Sequence, residues 1–192
     1  MIIYFEPHAS SLDNEAELAS GHYDVELSEK GWSEAKLKRK KYSNLGIEAV
    51  YTSDLKRAYK TAEIIFEKTQ IQIVKDIRLR ECDYGVMTRR PRGEIIQVRK
   101  SCITTPFPNG ESYFQVITRV KDFLEELLLN KSFYIILIIG HFAILVGLEY
   151  WLEGRQIVDS FQIEYNETEF PLCYQIDEKT LHSKFEKDNQ ID

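Results

Sequence analysis

The 192-residue chain is short of cysteine, glycine, proline and excess positive charge, and each shortage removes a class of protein. Its three cysteines, Cys82, Cys102 and Cys173, are odd in number and far apart, which fits neither a disulfide framework nor metal-ligand spacing. No secretory leader pattern opens the sequence, so a reducing cytoplasm is the expected compartment. The nine glycines and five prolines form no linker, repeat or low-complexity tract. One domain over residues 1–182 is expected, followed by a polar tail, "SKFEKDNQID", at 183–192. Lysine and arginine total 25 against 31 acidic residues, a formal charge of −6. That balance gives no basic footprint, so nucleic acid and anionic membranes are not expected partners. Long apolar runs are also scarce. The exception, "FYIILIIGHFAILVGLEYWL" from Phe133 to Leu152, is β-branched in its first half and broken by Gly140-His141. Strand, turn and buried helix describe it better than a membrane span.

What the chain does contain is 43% hydrophobic residues, enough for a sizeable core, in alternating strand-like and helix-like segments. Strands are expected at Ile2 to Glu6, Ala49 to Thr52, Gln72 to Lys75 and Phe133 to Ile139, and further ones near Phe161 to Tyr165 and Leu172 to Asp177. Helices are expected at Glu29 to Tyr42, Asp54 to Lys68, Tyr113 to Asn130 and Phe142 to Leu152, with Ser28, Ser53-Asp54 and Ser112 as caps. The alternation implies a three-layer α/β/α sandwich around a mostly parallel sheet, with one antiparallel edge strand.

In such a sheet, ligands bind beyond the carboxyl ends of the strands. His8 follows the first strand, Ser53 to Arg57 the second, Glu81 the third, and Gly140-His141 the fourth. Taken singly, each has an ordinary structural explanation, such as a satisfied core histidine or a solvated arginine. Their shared position after successive strands is what marks them.

Six segments, in order, carry a resemblance: "PHASSLDN", "SGHYDVELSEKG", "YTSDLKRAYKTA", "LRECDYG", "PNGES" and "GHFA". Together they resemble the histidine phosphatase, or phosphoglycerate mutase-like, superfamily, whose signature opens with R-H-G after the first strand. The resemblance implies that His8 attacks phosphorus to form a phosphohistidine. It makes Arg57 a bidentate phosphate ligand, Asn14 a further phosphate contact, and His141 a protonated donor to a phosphoryl oxygen. Glu81 becomes the acid that protonates the leaving oxygen and then activates water. The implied substrate is a small phosphorylated molecule, with no metal or organic cofactor, acted on by a monomer or homodimer.

This chain departs from that signature immediately before the nucleophile, where Pro7 stands in place of arginine and the unusual Glu6 precedes it. Losing one preorganised phosphate donor costs on the order of 10²- to 10³-fold in rate. Three outcomes are open. Another cation substitutes, with Arg80, Arg89, Arg90 and Arg92 as candidates that Glu6 would orient; or the pocket binds a phosphorylated ligand with little turnover; or the substitutions are tolerated. The stretch from Met87 to Pro108 is placed to cover the site. Because Glu81 and Gly110 are close in sequence, water keeps its access, which favours phosphomonoester hydrolysis over phosphoglycerate mutase chemistry.

Overall fold

The computed structural model describes residues 1–130, 132–163 and 170–188. Its elements run β1 (Ile2–Pro7), α1 (Leu12–Glu15), α2 (Glu29–Tyr42), β2 (Ala49–Thr52), α3 (Lys56–Phe66), β3 (Gln72–Lys75), α4 (Arg92–Val98), α5 (Tyr113–Asn130), β4 (Ile135–Gly140), α6 (Phe142–Leu148), α7 (Ile157–Ser160), β5 (Leu172–Gln175) and α8 (Glu178–Asp188). Short 3-10 turns at Ile77–Leu79 and Gly85–Met87 link β3 to α4.

The five strands form one sheet in the order β3-β2-β4-β1-β5. All pairs are parallel except β1 with β5, so β5 is the antiparallel edge. Residue alternation divides the core. Ile3, Phe5, Ile136 and Ile138 face the layer that holds α5 and α6, whereas Val50, Leu137 and Ile139 face the layer built from α2 and α3. A strand buried on both faces must read as a continuous apolar run, and β4, "IILIIG", does.

Several expected boundaries shift. The apolar run at 133–152 resolves into β4, His141, α6 and a π-helical turn at Glu149–Glu153, and no described helix is long and apolar enough to cross a membrane. Ser28 and Ser112 cap as expected, accepting from Gly31 and Gln115 amides. Ser53 does not: α3 starts later, at Lys56, and the Ser53 hydroxyl is used elsewhere. Phe161 and Gln162 form a turn rather than a strand, and the rest of that expected strand, beyond Ile163, lies outside the described residues. The polar tail expected from Ser183 is corrected. Residues 183–188 belong to α8, where Phe185 is buried with its ring 5.1 Å from that of Trp151. A lone phenylalanine in a charged stretch looks like tail in the sequence, but with Leu181 it is buried in the core and docks the helix.

Candidate active site

The first strand delivers His8 at its carboxyl end, where the His8 amide continues the ladder by donating to Gly140 O at 3.0 Å. The loop that follows is pinned by main-chain contacts. The Ala9 amide donates to Thr61 Oγ1 at 3.0 Å, and Thr61 donates in turn to Arg57 O at 2.7 Å. Gly31 in α2 packs so tightly on this loop that a Cβ there would lie 1.9 Å from Ser10 O. Only glycine permits that approach. Ring nitrogen Nδ1 of His8 lies 2.8 Å from Ala9 O, a partner that can only accept, so the ring proton sits on Nδ1 and Nε2 keeps its lone pair. Burial, with the Arg57 charge next, pushes the His8 imidazole down to about 3, which keeps it neutral at physiological pH.

His141 follows β4 and lies against His8 with ring centroids 5.0 Å apart. Its Nε2 is 2.7 Å from Ser53 Oγ, and Ser53 Oγ also accepts the Leu55 amide at 3.4 Å. The assignment that uses every group has Ser53 donating to Nε2 and the imidazole proton on Nδ1. Nδ1 is buried with no partner among the described residues, which leaves a donor for a ligand. Burial first, then the charges of Arg57 and His8, hold the His141 imidazole well below its ordinary value, which favours the neutral ring over the charged one.

Arg57 opens α3 and is 2% exposed. It donates Nη1 to Tyr23 O at 3.0 Å and Nη2 to Gly21 O at 2.7 Å, which fixes the guanidinium plane and leaves further N–H groups for an anion. Asn14 ends a capping box with Ser11. Its Oδ1 accepts the Ser11 amide and hydroxyl, so its amide nitrogen remains as a donor.

Glu81, just after the 3-10 turn at Ile77–Leu79, reaches the amino end of α6 with its carboxyl. Its Oε1 accepts from Cys82 and Ala143 amides at 2.8 and 3.1 Å, and Oε2, among the described residues, accepts only from the Phe142 amide at 3.2 Å. Burial outweighs these contacts and raises its pKa above the ordinary carboxylate value. His22 and Arg119 both donate to Glu81 O, at 2.8 and 2.9 Å, and so fix the main chain behind the carboxyl. The sequence reading missed His22, although "SGHYD" sits in a quoted segment.

His8, Arg57, Glu81 and Asn14 line one cavity of about 690 Å³, and His141, which does not line it, packs against the His8 ring. The rest of its lining includes an apolar wall of Tyr84, Ile95, Ile96, Tyr113, Phe142 and Phe161. Of the four arginines named as substitutes for the missing one, only Arg92 lines it. Arg80 is engaged by Asp54 and Arg89 by Asp13, while Arg90 lies outside the wall and meets Ala19 through its backbone carbonyl. Nor does Glu6 orient an arginine. Its buried carboxylate meets Lys38, Lys41 and Tyr42 of α2.

Comparison with known proteins agrees with this geometry. The family model of the histidine phosphatase superfamily (branch 1) matches residues 3–181. A 2,3-bisphosphoglycerate-dependent phosphoglycerate mutase of Rhizobium etli is 31% identical, with 88% of each chain covered. Phosphoserine phosphatase 1 of Hydrogenobacter thermophilus is 31% identical over 70% of this chain and 67% of its own. The fold is that of the Shigella flexneri α-ribazole phosphatase, with a TM-score of 0.75 over 86% of each chain at 20% identity.

Proposed function

This chain belongs to the histidine phosphatase superfamily, and from that premise we propose that it hydrolyses a small phosphomonoester through a phosphohistidine on His8. The observation that carries the reading is the locked His8 ring: Nδ1 is committed to Ala9 O and Nε2 is unprotonated, in a cavity shared with Arg57 and with the His141 ring packed beside it.

Nε2 attacks phosphorus as the bond to the leaving oxygen breaks, forming an N–P bond. Arg57 and Asn14 hold nonbridging oxygens, and His141 Nδ1–H donates to another as charge builds in the transition state. Glu81, whose carboxyl burial raises above the ordinary carboxylate value, gives its proton to the leaving oxygen from Oε2, the less engaged of its two oxygens. Water then attacks the phosphohistidine, Glu81 takes its proton, and the N–P electron pair returns to Nε2.

The protein incubated with p-nitrophenyl phosphate in the absence of added metal should release phosphate and carry an acid-labile phosphoryl group. His8→Ala should lose on the order of 10⁴-fold or more in turnover, and undiminished turnover would rule the mechanism out. A mutase reading has the Rhizobium relative in its favour. Opposing it are the short stretch between Glu81 and Gly110 and the exposure of Arg92 and Ile96 on the α4 wall, where water can enter. With 3-phosphoglycerate, free phosphate rather than the 2-isomer should accumulate.

A further inference from the structure

We propose that Lys38, held by Glu6, supplies the phosphate-binding charge that Pro7 cannot, so that a lysine on α2 and a carboxylate at the end of β1 together replace the absent arginine. The inference rests on the phosphatase reading of the His8 cavity.

A carboxylate next to a phosphate site needs an explanation. Glu6 is 1% exposed, and its Oε1 lies 2.6 Å from Lys38 Nζ. Its Oε2 accepts from the Tyr42 hydroxyl and lies 3.7 Å from Lys41 Nζ. One carboxylate therefore meets two ammonium groups, which offset its charge toward a phosphate dianion approaching Pro7. Glu34, Lys38 and Tyr42 are spaced at i, i+4 and i+8, so α2 presents them on one face. That face borders the cavity. Lys38 and Glu34 line it together with Pro7, His8 and Ser10, and Glu34 accepts both the Ser10 amide and its hydroxyl, at 2.8 and 2.9 Å.

Lys38 is suited to a ligand role. Its side chain is 16% exposed, so its charge is only partly screened by water. An ammonium has three donors, and the contact with Glu6 uses one. The Lys38 charge also reaches His8, where it helps hold the imidazole neutral. A buried ion pair is weak evidence of a stabilising purpose, because desolvation can cancel the attraction. The pair's position on the cavity wall argues for a ligand-directed one.

Removing Lys38 alone would strand a buried carboxylate, so the informative variant is the double Glu6→Gln/Lys38→Met, which removes the charges together. Two readouts apply: turnover of p-nitrophenyl phosphate, and affinity for inorganic phosphate measured by calorimetry. The double variant, folded by circular dichroism, should lose about 10²-fold in kcat/KM and bind phosphate at least tenfold more weakly. Lys38→Arg should keep most of the activity. Adding Pro7→Arg to the double variant should restore tenfold or more, whereas Pro7→Arg in the otherwise unchanged protein should give no gain, because its guanidinium would crowd the Lys38 ammonium. A double variant with wild-type turnover and phosphate affinity would reduce the cluster to a structural pair and overturn the proposal, leaving the His8 mechanism intact. Failure of the hydrolase reading looks different. If the unchanged protein binds phosphate without turning over any ester, phosphate affinity alone decides the role of Lys38. If it neither turns over esters nor binds phosphate, both proposals fall.

Discussion

The two ends of the cavity are built by different means. At the histidine end, the polar side chains are held mainly by the main chain: His8 by Ala9 O, Arg57 by Gly21 and Tyr23 carbonyls, and Glu81 by three amides. At the far end, Ile95, Ile96, Phe142 and Phe161 meet by packing, and the Arg99 guanidinium lies over the Phe142 and Phe161 rings at 5.5 and 4.9 Å. Backbone geometry at the ends of parallel strands is set by the fold and tolerates little drift. Side chains on α4 and on the turn at Phe161 can be exchanged without moving a strand. Changes at the first end should therefore act on the chemical step and be large, and changes at the second on the choice of substrate and be graded.

Glu81→Gln tests that division most severely, since it keeps shape and removes the transferable proton. Alkyl phosphates, whose leaving oxygens need protonation, should slow about 10²-fold or more, while p-nitrophenyl phosphate should change far less. Equal losses on both substrates would recast Glu81 as a binding or positioning group, and no loss on either would direct attention to Asp83.

A smaller effect separates the ends by pH. His8 is held well below the ordinary histidine value, so between about pH 6.5 and pH 3 the unfolded chain takes up a proton that the folded site refuses. The stability contributed by the neutral folded ring is present above the unfolded value and is lost as pH falls toward the folded one. Melting curves from pH 7 to pH 4 should thus show His8→Asn gaining on the unchanged protein by a few degrees as the medium is acidified. Parallel curves would mean that His8 titrates as freely in the folded site as in the unfolded chain. A variant on the apolar wall should show no such divergence.

The legibility of the molecule follows the same division. Strands buried within the sheet leave apolar runs, so β1, β2 and β4 and the residues that follow them, including His8, Arg57 and His141, could be found from order alone, whereas β3 is a partly exposed edge strand. Where side chains reach across from other elements, little was legible. Ser53 looked like a cap because serine before a helix usually is one, but its hydroxyl bonds His141 across 88 residues. Phe161 looked like part of a strand because an aromatic in an apolar pattern carries no record of the turn it occupies. Lys38 was one of several lysines in a charged helix. Its only trace was indirect, in Glu6, a carboxylate in a strand that required a partner.

The smallest expected effect lies on the apolar wall, at Ile96, which lines the cavity yet is 44% exposed, so replacing it leaves the core intact. Ile96→Ser removes apolar surface from the region a substrate's body would touch and nothing from the phosphate end. For an ester with an aromatic or branched apolar body, KM should rise roughly three- to tenfold, the scale of about 1 kcal/mol for a few exposed methylenes. Turnover at saturation and inhibition by inorganic phosphate should stay within about twofold, because neither depends on uniform binding of the remote group. A polar ester of similar size serves as the internal control and should be indifferent to the change. If both esters lose kcat instead, the wall is coupled to the alignment of His8 and Glu81 through Phe142, whose amide meets Glu81, and the two ends of the cavity are one device rather than two.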